Sequence, residues 1–125
     1  MFEIIEKDEV ARIGKLYTKH GIIETPALFP VINPSKQYVD LSRIKELGFN
    51  QIITNAYIIR GTYGDTAREV GLHEIIGWDG PLMTDSGAYQ ILQYGNIEVS
   101  PDEALRYQVE IGSDIGVILD IPTSY

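Results

Sequence analysis

Four short apolar runs at near-regular spacing constrain this chain more than any other feature. They are Ala27-Leu28-Phe29-Pro30-Val31, Gln51-Ile52-Ile53-Thr54-Asn55, Pro81-Leu82-Met83-Thr84-Asp85 and Ile115-Gly116-Val117-Ile118-Leu119-Asp120. Short runs with little period-two alternation suit strands buried on both faces. Their first residues stand 24, 30 and 34 positions apart, which is the length of a strand, a helix and two loops. Repeated in series, that unit predicts a parallel α/β arrangement.

Helix signals fall in the gaps. Asp40 can cap a helix with an apolar stripe of Leu41, Ile44 and Leu47, stopped by Gly48. Asp65 to Val70 predicts a shorter helix ending at Gly71. Ser100-Pro101-Asp102-Glu103 combines an N-cap, a first-position proline and a capping-box glutamate. It predicts a helix whose apolar face is Ala104, Leu105, Val109 and Ile111, ending at Gly112. Before Ala27 the pattern changes. Ala11–Leu16 and Gly21–Ile23 predict a hairpin, and Ile97-Glu98-Val99 a further short strand.

Composition excludes several classes. The 125 residues are 44% hydrophobic and 22% charged, enough for a packed core. No apolar run approaches the roughly 20 residues of a membrane helix, and the acidic start Met1–Glu6 is unlike a signal or transit peptide. With no cysteine there is neither a disulfide framework nor a thiolate metal site, and His20 and His73 alone make a poor one. A cytoplasmic chain is expected. The net charge of −8 is uneven: residues 1–68 balance to +1 and residues 69–125 to −9. The acidic half opposes phosphate binding, so this chain alone is expected to hold nucleic acid poorly. A solvated acidic surface is its plain reading.

The apolar runs end in polar residues: Asn33 shortly after the first, then Asn55, Asp85 and Asp120. In a parallel barrel the site sits at the carboxyl ends of the strands, although Asp and Asn are also ordinary turn residues. Asp85-Ser86-Gly87-Ala88-Tyr89-Gln90 is the densest cluster, with a carboxylate, a hydroxyl, a flexible glycine, a stacking ring and an amide. That set suits a flat, hydrogen-bonding ligand. Asp85 with Asp120 is compatible with carboxylate chemistry at a glycosidic carbon. His73, Trp78 and His20 read as packing or turn residues, and Arg60 and Arg68 as solvated arginines.

Met83-Thr84-Asp85-Ser86-Gly87-Ala88-Tyr89-Gln90 resembles the signature of the tRNA-guanine transglycosylases. Gly71-Leu72-His73, Trp78 and Gly80-Pro81 precede it at that family's spacing, and Thr54-Asn55-Ala56-Tyr57 resembles its second strand end. Gly112-Ser113-Asp114-Ile115 and Leu119-Asp120-Ile121-Pro122-Thr123 look like the archaeal branch. Ala88, Tyr89 and Ile121-Pro122 stand where bacterial relatives usually have Gly, Phe and Glu-Cys.

The resemblance implies a (β/α)8 TIM-type barrel preceded by a short antiparallel sheet. Residues 1–26 would be the antiparallel hairpin and 27–125 the first four βα units, a truncated part of the catalytic domain. It implies exchange of guanine at position 15 of the tRNA D-arm for 7-cyano-7-deazaguanine, through a covalent ribosyl intermediate. Asp85 would be catalytic, as nucleophile or proton handler. Asp120 would read the purine edge, Tyr89 would stack on the base, and Ser86 and Asn55 would contact the substrate. Ile121 would suit a cyano substituent. The family's zinc, held by cysteines and a histidine, would have no ligand here. Partners would be tRNA, the deazaguanine base, and a homodimer mate or complementing chain. A barrel needs about 250 residues, so the isolated chain is expected to be inactive. A non-catalytic half-barrel subunit is the alternative, and a small independent hydrolase the third reading.

Overall fold

The computed structural model describes residues 1–88 and 99–120. The predicted strand at 97–99 and the candidate residues Tyr89 and Ile121 lie wholly or partly outside them.

The amino-terminal hairpin is the greater part of a three-stranded antiparallel sheet. Its strands are β1 (Phe2–Asp8), β2 (Ala11–Thr18) and β3 (Gly21–Thr25), in that order. The sequence pattern marks only β2 and β3. β1 was hidden because its register shifts between Ile4 and Glu6, a bulge that breaks the period of two. Gly14 lies under the Phe2 ring: a Cβ there would lie 2.4 Å from it, and the exposed ring would have to move aside.

The rest of the chain alternates helix and parallel strand. Its elements are α1 (Leu41–Glu46), β4 (Ile52–Asn55), α2 (Ala56–Tyr63), α3 (Thr66–Val70), α4 (Leu72–Ile76), β5 (Leu82–Asp85), α5 (Pro101–Glu110) and β6 (Ile115–Gly116). β4, β5 and β6 pair in sequence order, all parallel, with Ile53 opposite Met83 and Met83 opposite Ile115. On the outer side of β4, the Ile53 N–H donates to the Pro30 carbonyl at 3.0 Å and the Ile32 N–H to the Ile53 carbonyl at 2.8 Å. The first apolar run therefore lies beside β4 as expected, but as a single bridge at Val31 and not a strand. Pro26 and Pro30 supply no backbone donor, which shortens the pairing.

The strands are not buried on both faces. In β4 and β5 the residues alternate between buried and half-buried. Ile52 and Leu82 enter a core with Ile32, Ile44, Ala56, Ile59, Leu72, Trp78, Tyr107 and Ile111, under the helices. The opposite face carries Ile53, Asn55, Met83 and Asp85, all half-buried. Strand periodicity thus puts both polar strand ends on the face that the helices do not cover.

Two helices went unread. α2 follows β4 with no loop, and its Ile58-Ile59-Arg60-Gly61 is poor helix sequence. Burial of Ala56 and Ile59 overrides that propensity. α4 is one short turn begun and ended by Gly71 and Gly77. The strongest helix signal holds fully: the Ser100 hydroxyl accepts from the Glu103 N–H at 3.2 Å, and the Glu103 carboxylate accepts from the Ser100 N–H at 3.0 Å. Its buried face differs from the expected one. Ala104, Tyr107, Gln108 and Ile111 are buried, at helical spacing, whereas Leu105 and Val109 are exposed. In α1, Ile44 is buried and Leu47 exposed, and Asp40 starts the helix without a side-chain cap bond.

Candidate functional site

The sheet brings two of the sequence-predicted residues into contact at its carboxyl edge. Asn55 ends β4, Asp85 ends β5, and the parallel register sets them opposite each other. Asn55 Nδ2 donates to Asp85 Oδ2 at 3.1 Å. The same amide's Oδ1 accepts from the Ile58 N–H at 3.1 Å, capping α2. One side chain therefore begins a helix and holds a carboxylate, and the cap fixes which way its amide faces.

Gly87 lets the chain turn away beside this pair. Its φ is +82°, and a Cβ would lie 2.4 Å from Tyr57 Cβ and 3.0 Å from Asn55 Oδ1. Only glycine fits that backbone and that gap. Ser86, next to Asp85, is buried, and its hydroxyl has no hydrogen-bond partner among the described residues. It lines a small cavity with Ala56, Tyr57, Arg60, Val99, Ala104 and Tyr107. A buried hydroxyl left unpaired is costly, so Ser86 is available to a bound group. Asp120 lies four residues past the end of β6 and is exposed. It is not packed against Asp85 by any regular element. Arg68 is committed to Glu110, at 2.7 Å, and to Asp65. Arg60 lies over the Tyr107 ring, 5.7 Å from its centroid.

A second polar cluster sits at the amino end of β5, and the sequence reading missed it. The Asp114 carboxylate is almost fully buried between two imidazoles: His20 Nδ1 at 2.8 Å and His73 Nε2 at 3.2 Å. It also accepts from the Leu82 N–H at 3.0 Å. The two rings stack with centroids 3.6 Å apart. His20, expected to need no role, instead ties the β2–β3 turn to the parallel sheet. The ligating atoms of all three residues lie within 4.8 Å of one another. Each is already engaged in the clamp, and His73 Nε2 also meets the Gly80 carbonyl at 3.1 Å. Two histidines and an aspartate do not make the cysteine-and-histidine set that the sequence resemblance implies for zinc.

Burial, and then the neighbouring His20 ring, hold the His73 imidazole below its usual value. The fold therefore favours neutral His73. The unfolded chain takes up the proton first, near the ordinary value of about 6.5, so this stability is present above that pH and is lost as pH falls below it. Thermal unfolding followed from pH 7.5 to pH 5 should show a falling Tm. In His73→Gln that acid-side slope should flatten, and an unchanged slope would remove His73 as its source.

A singly wound α/β domain with a carboxylate–amide pair at its carboxyl edge is built like a strand-end enzyme site. Comparison with known proteins names the class. The sequence model described as queuine tRNA-ribosyltransferase matches residues 7–125, so the chain belongs to that family. It is 58% identical over 124 residues to the tRNA-guanine(15) transglycosylase of Pyrobaculum aerophilum, covering 99% of this chain. It is 54% identical over 123 residues to that of Aeropyrum pernix and 50% over 125 to that of Methanosarcina mazei, in each case covering 98% of this chain. The chain spans about a quarter of those relatives' length, 24%, 24% and 26% in turn. Among the described residues, no helix is long and apolar enough to cross a membrane.

Proposed function

We propose that these residues form the amino-terminal part of the catalytic domain of a tRNA-guanine(15) transglycosylase. The observation that carries this reading is the Asn55–Asp85 contact, set on the open face of a parallel sheet. The run 30–32, β4, β5 and β6 would be the first four strands of an eight-stranded barrel, paired in sequence order. Its remaining strands would cover the face bearing Ile53 and Met83. The substrate would be guanine at position 15 of the tRNA D-arm, and the incoming base 7-cyano-7-deazaguanine.

The chemistry follows from what a held carboxylate can do. In one form, an Asp85 oxygen attacks the ribose anomeric carbon. A C–O bond forms as the C–N bond breaks, and guanine leaves with the electron pair and takes up a proton. The incoming base then gives up its ring N–H proton to water, attacks the same carbon through that nitrogen and displaces the carboxylate. In the other form, Asp85 moves the proton of the leaving or entering base while another carboxylate attacks. Asn55 serves both by binding one Asp85 oxygen and leaving the second toward the substrate. Asp120 can accept two hydrogen bonds from the N1–H and amine edge of a guanine-type base. Ser86 would use its hydroxyl on the base or ribose, and Tyr89 would stack on the base.

The test is incorporation of radiolabelled guanine into tRNA. The whole protein that contains these residues should exchange it, and the purified 125-residue chain should not. Incorporation by the isolated chain would overturn the expectation that the open half-barrel is inactive. Stable assembly with a partner, without exchange, would instead favour the non-catalytic subunit.

A further inference from the structure

We infer that Gln108 is a positioning residue that sets the spacing between the strands delivering Asp85 and Asp120. This rests on the transglycosylase reading above. Gln108 lies on α5, away from the open face, and is only 1% exposed. A buried amide needs all of its hydrogen bonds met, and this one meets four. Its Oε1 accepts from the Thr84 hydroxyl at 2.7 Å and from the Val117 N–H at 3.0 Å. Its Nε2 donates to the Val117 carbonyl at 2.9 Å and to the Ala104 carbonyl at 3.1 Å.

The placement of these partners carries the inference. Thr84 immediately precedes Asp85, and Val117 lies three residues before Asp120. The β5–β6 ladder pairs Met83 with Ile115 and Thr84 with Gly116. The next pair would be Asp85 with Val117. Its first bond forms, from the Val117 N–H to the Thr84 carbonyl at 3.1 Å. In a continuing parallel ladder the Val117 carbonyl would accept from the residue after Asp85. Here that carbonyl goes to Gln108 instead. The side-chain amide thus takes over from the backbone at the level of the candidate catalytic carboxylate. β6 can then leave the sheet while Val117 stays fixed to Thr84 through one rigid group. Ser113 braces the same point: its hydroxyl is 2.9 Å from the Thr84 hydroxyl and donates to the Ile115 carbonyl at 2.9 Å.

The role differs from that of a packing residue because the amide's direction matters as well as its volume. Gln108→Met keeps the volume and loses all four bonds. Gln108→Glu keeps the shape and, when protonated, keeps an acceptor for Thr84 and Val117 and one donor for the Val117 carbonyl. The groups touching this side chain, Thr84, Ala104 and Val117, are uncharged, as is Ser113 beside them, and Asp85 is the nearest acid along β5. Once ionised, the carboxylate introduced by Gln108→Glu would face the Ala104 and Val117 carbonyls with no proton to give.

The experiment measures kcat and KM for guanine exchange in the full-length enzyme, with circular dichroism and Tm recorded for each variant. Gln108→Met should lower kcat at least about tenfold and raise KM for the base, while KM for tRNA stays within about twofold. Gln108→Glu should be impaired at pH 8 and recover relative to wild type at pH 6. The exposed neighbour Val109→Ala should match wild type. If wild type exchanges guanine and both Gln108 variants, while folded, keep its kcat and KM, the inference fails alone. Activity that falls only with the unfolded fraction overturns it equally. If Gln108→Met does not fold, the pH recovery of Gln108→Glu decides. A wild-type enzyme without exchange overturns the function and this inference together.

Discussion

Asp85→Asn in the full-length enzyme should lower the rate of guanine exchange by about a thousandfold or more, the scale expected when a covalent or proton-transfer group is removed. The substitution is nearly isosteric. Its side-chain oxygen can still accept from Asn55 Nδ2, which now donates to Asp85 Oδ2 at 3.1 Å. The strand register and the α2 cap should therefore persist, with Tm within a few degrees of wild type. What disappears is the negative charge and the second basic oxygen. KM for tRNA should change little, because the RNA is held mainly through its backbone. Near-normal kcat in the folded variant would remove Asp85 from the reaction.

Asp114→Ala should have the largest effect on stability. Its carboxylate lies between His20 and His73 and accepts from the Leu82 N–H. Truncation leaves the His20 nitrogen and the Leu82 N–H short of an acceptor, while His73 Nε2 keeps only the Gly80 carbonyl. Leaving a buried donor unpaired costs about 1–3 kcal/mol, and Leu82 opens β5 itself. The attachment of the antiparallel sheet should weaken together with the strand that presents Asp85. Urea unfolding reads this directly. A loss below about 1 kcal/mol, the scale of an ordinary exposed pair, would mean that the clamp is ornamental to folding.

The sequence showed the site's skeleton because its logic is local. Apolar runs ending in Asn55 and Asp85 mark strands that pass from core to rim, and the parallel spacing implied that the two ends share one edge. Ser100 and Glu103 were legible for the same reason, being three residues apart. The parts that escaped depend on residues distant in the chain. His20 and Asp114 are 94 positions apart, and neither has a local pattern that predicts the other. Gln108 sits on a face that an apolar count assigns elsewhere, so a buried amide counted as solvent-facing. α2 was obscured by β-branched residues whose burial, not their propensity, makes them helical. The bulge in β1 concealed a strand by interrupting its alternation. Asp120 ends an apolar run in the sequence; the structure puts it on an exposed stretch beyond β6, three residues past the backbone that Gln108 secures.

The double duty of Asn55 has a consequence for how the protein would age. Hydrolysis of that one amide to a carboxylate would leave α2 intact, because aspartate caps a helix as well as asparagine does. The contact with Asp85 would change sign. Two carboxylates would then stand where a donor and an acceptor now meet, and their like charges would repel. A preparation damaged in this way would keep its helix cap while its strand-end acid had lost the donor that holds it. For this molecule, an intact helix is no certificate of an intact site; the mass of the peptide containing Asn55 is.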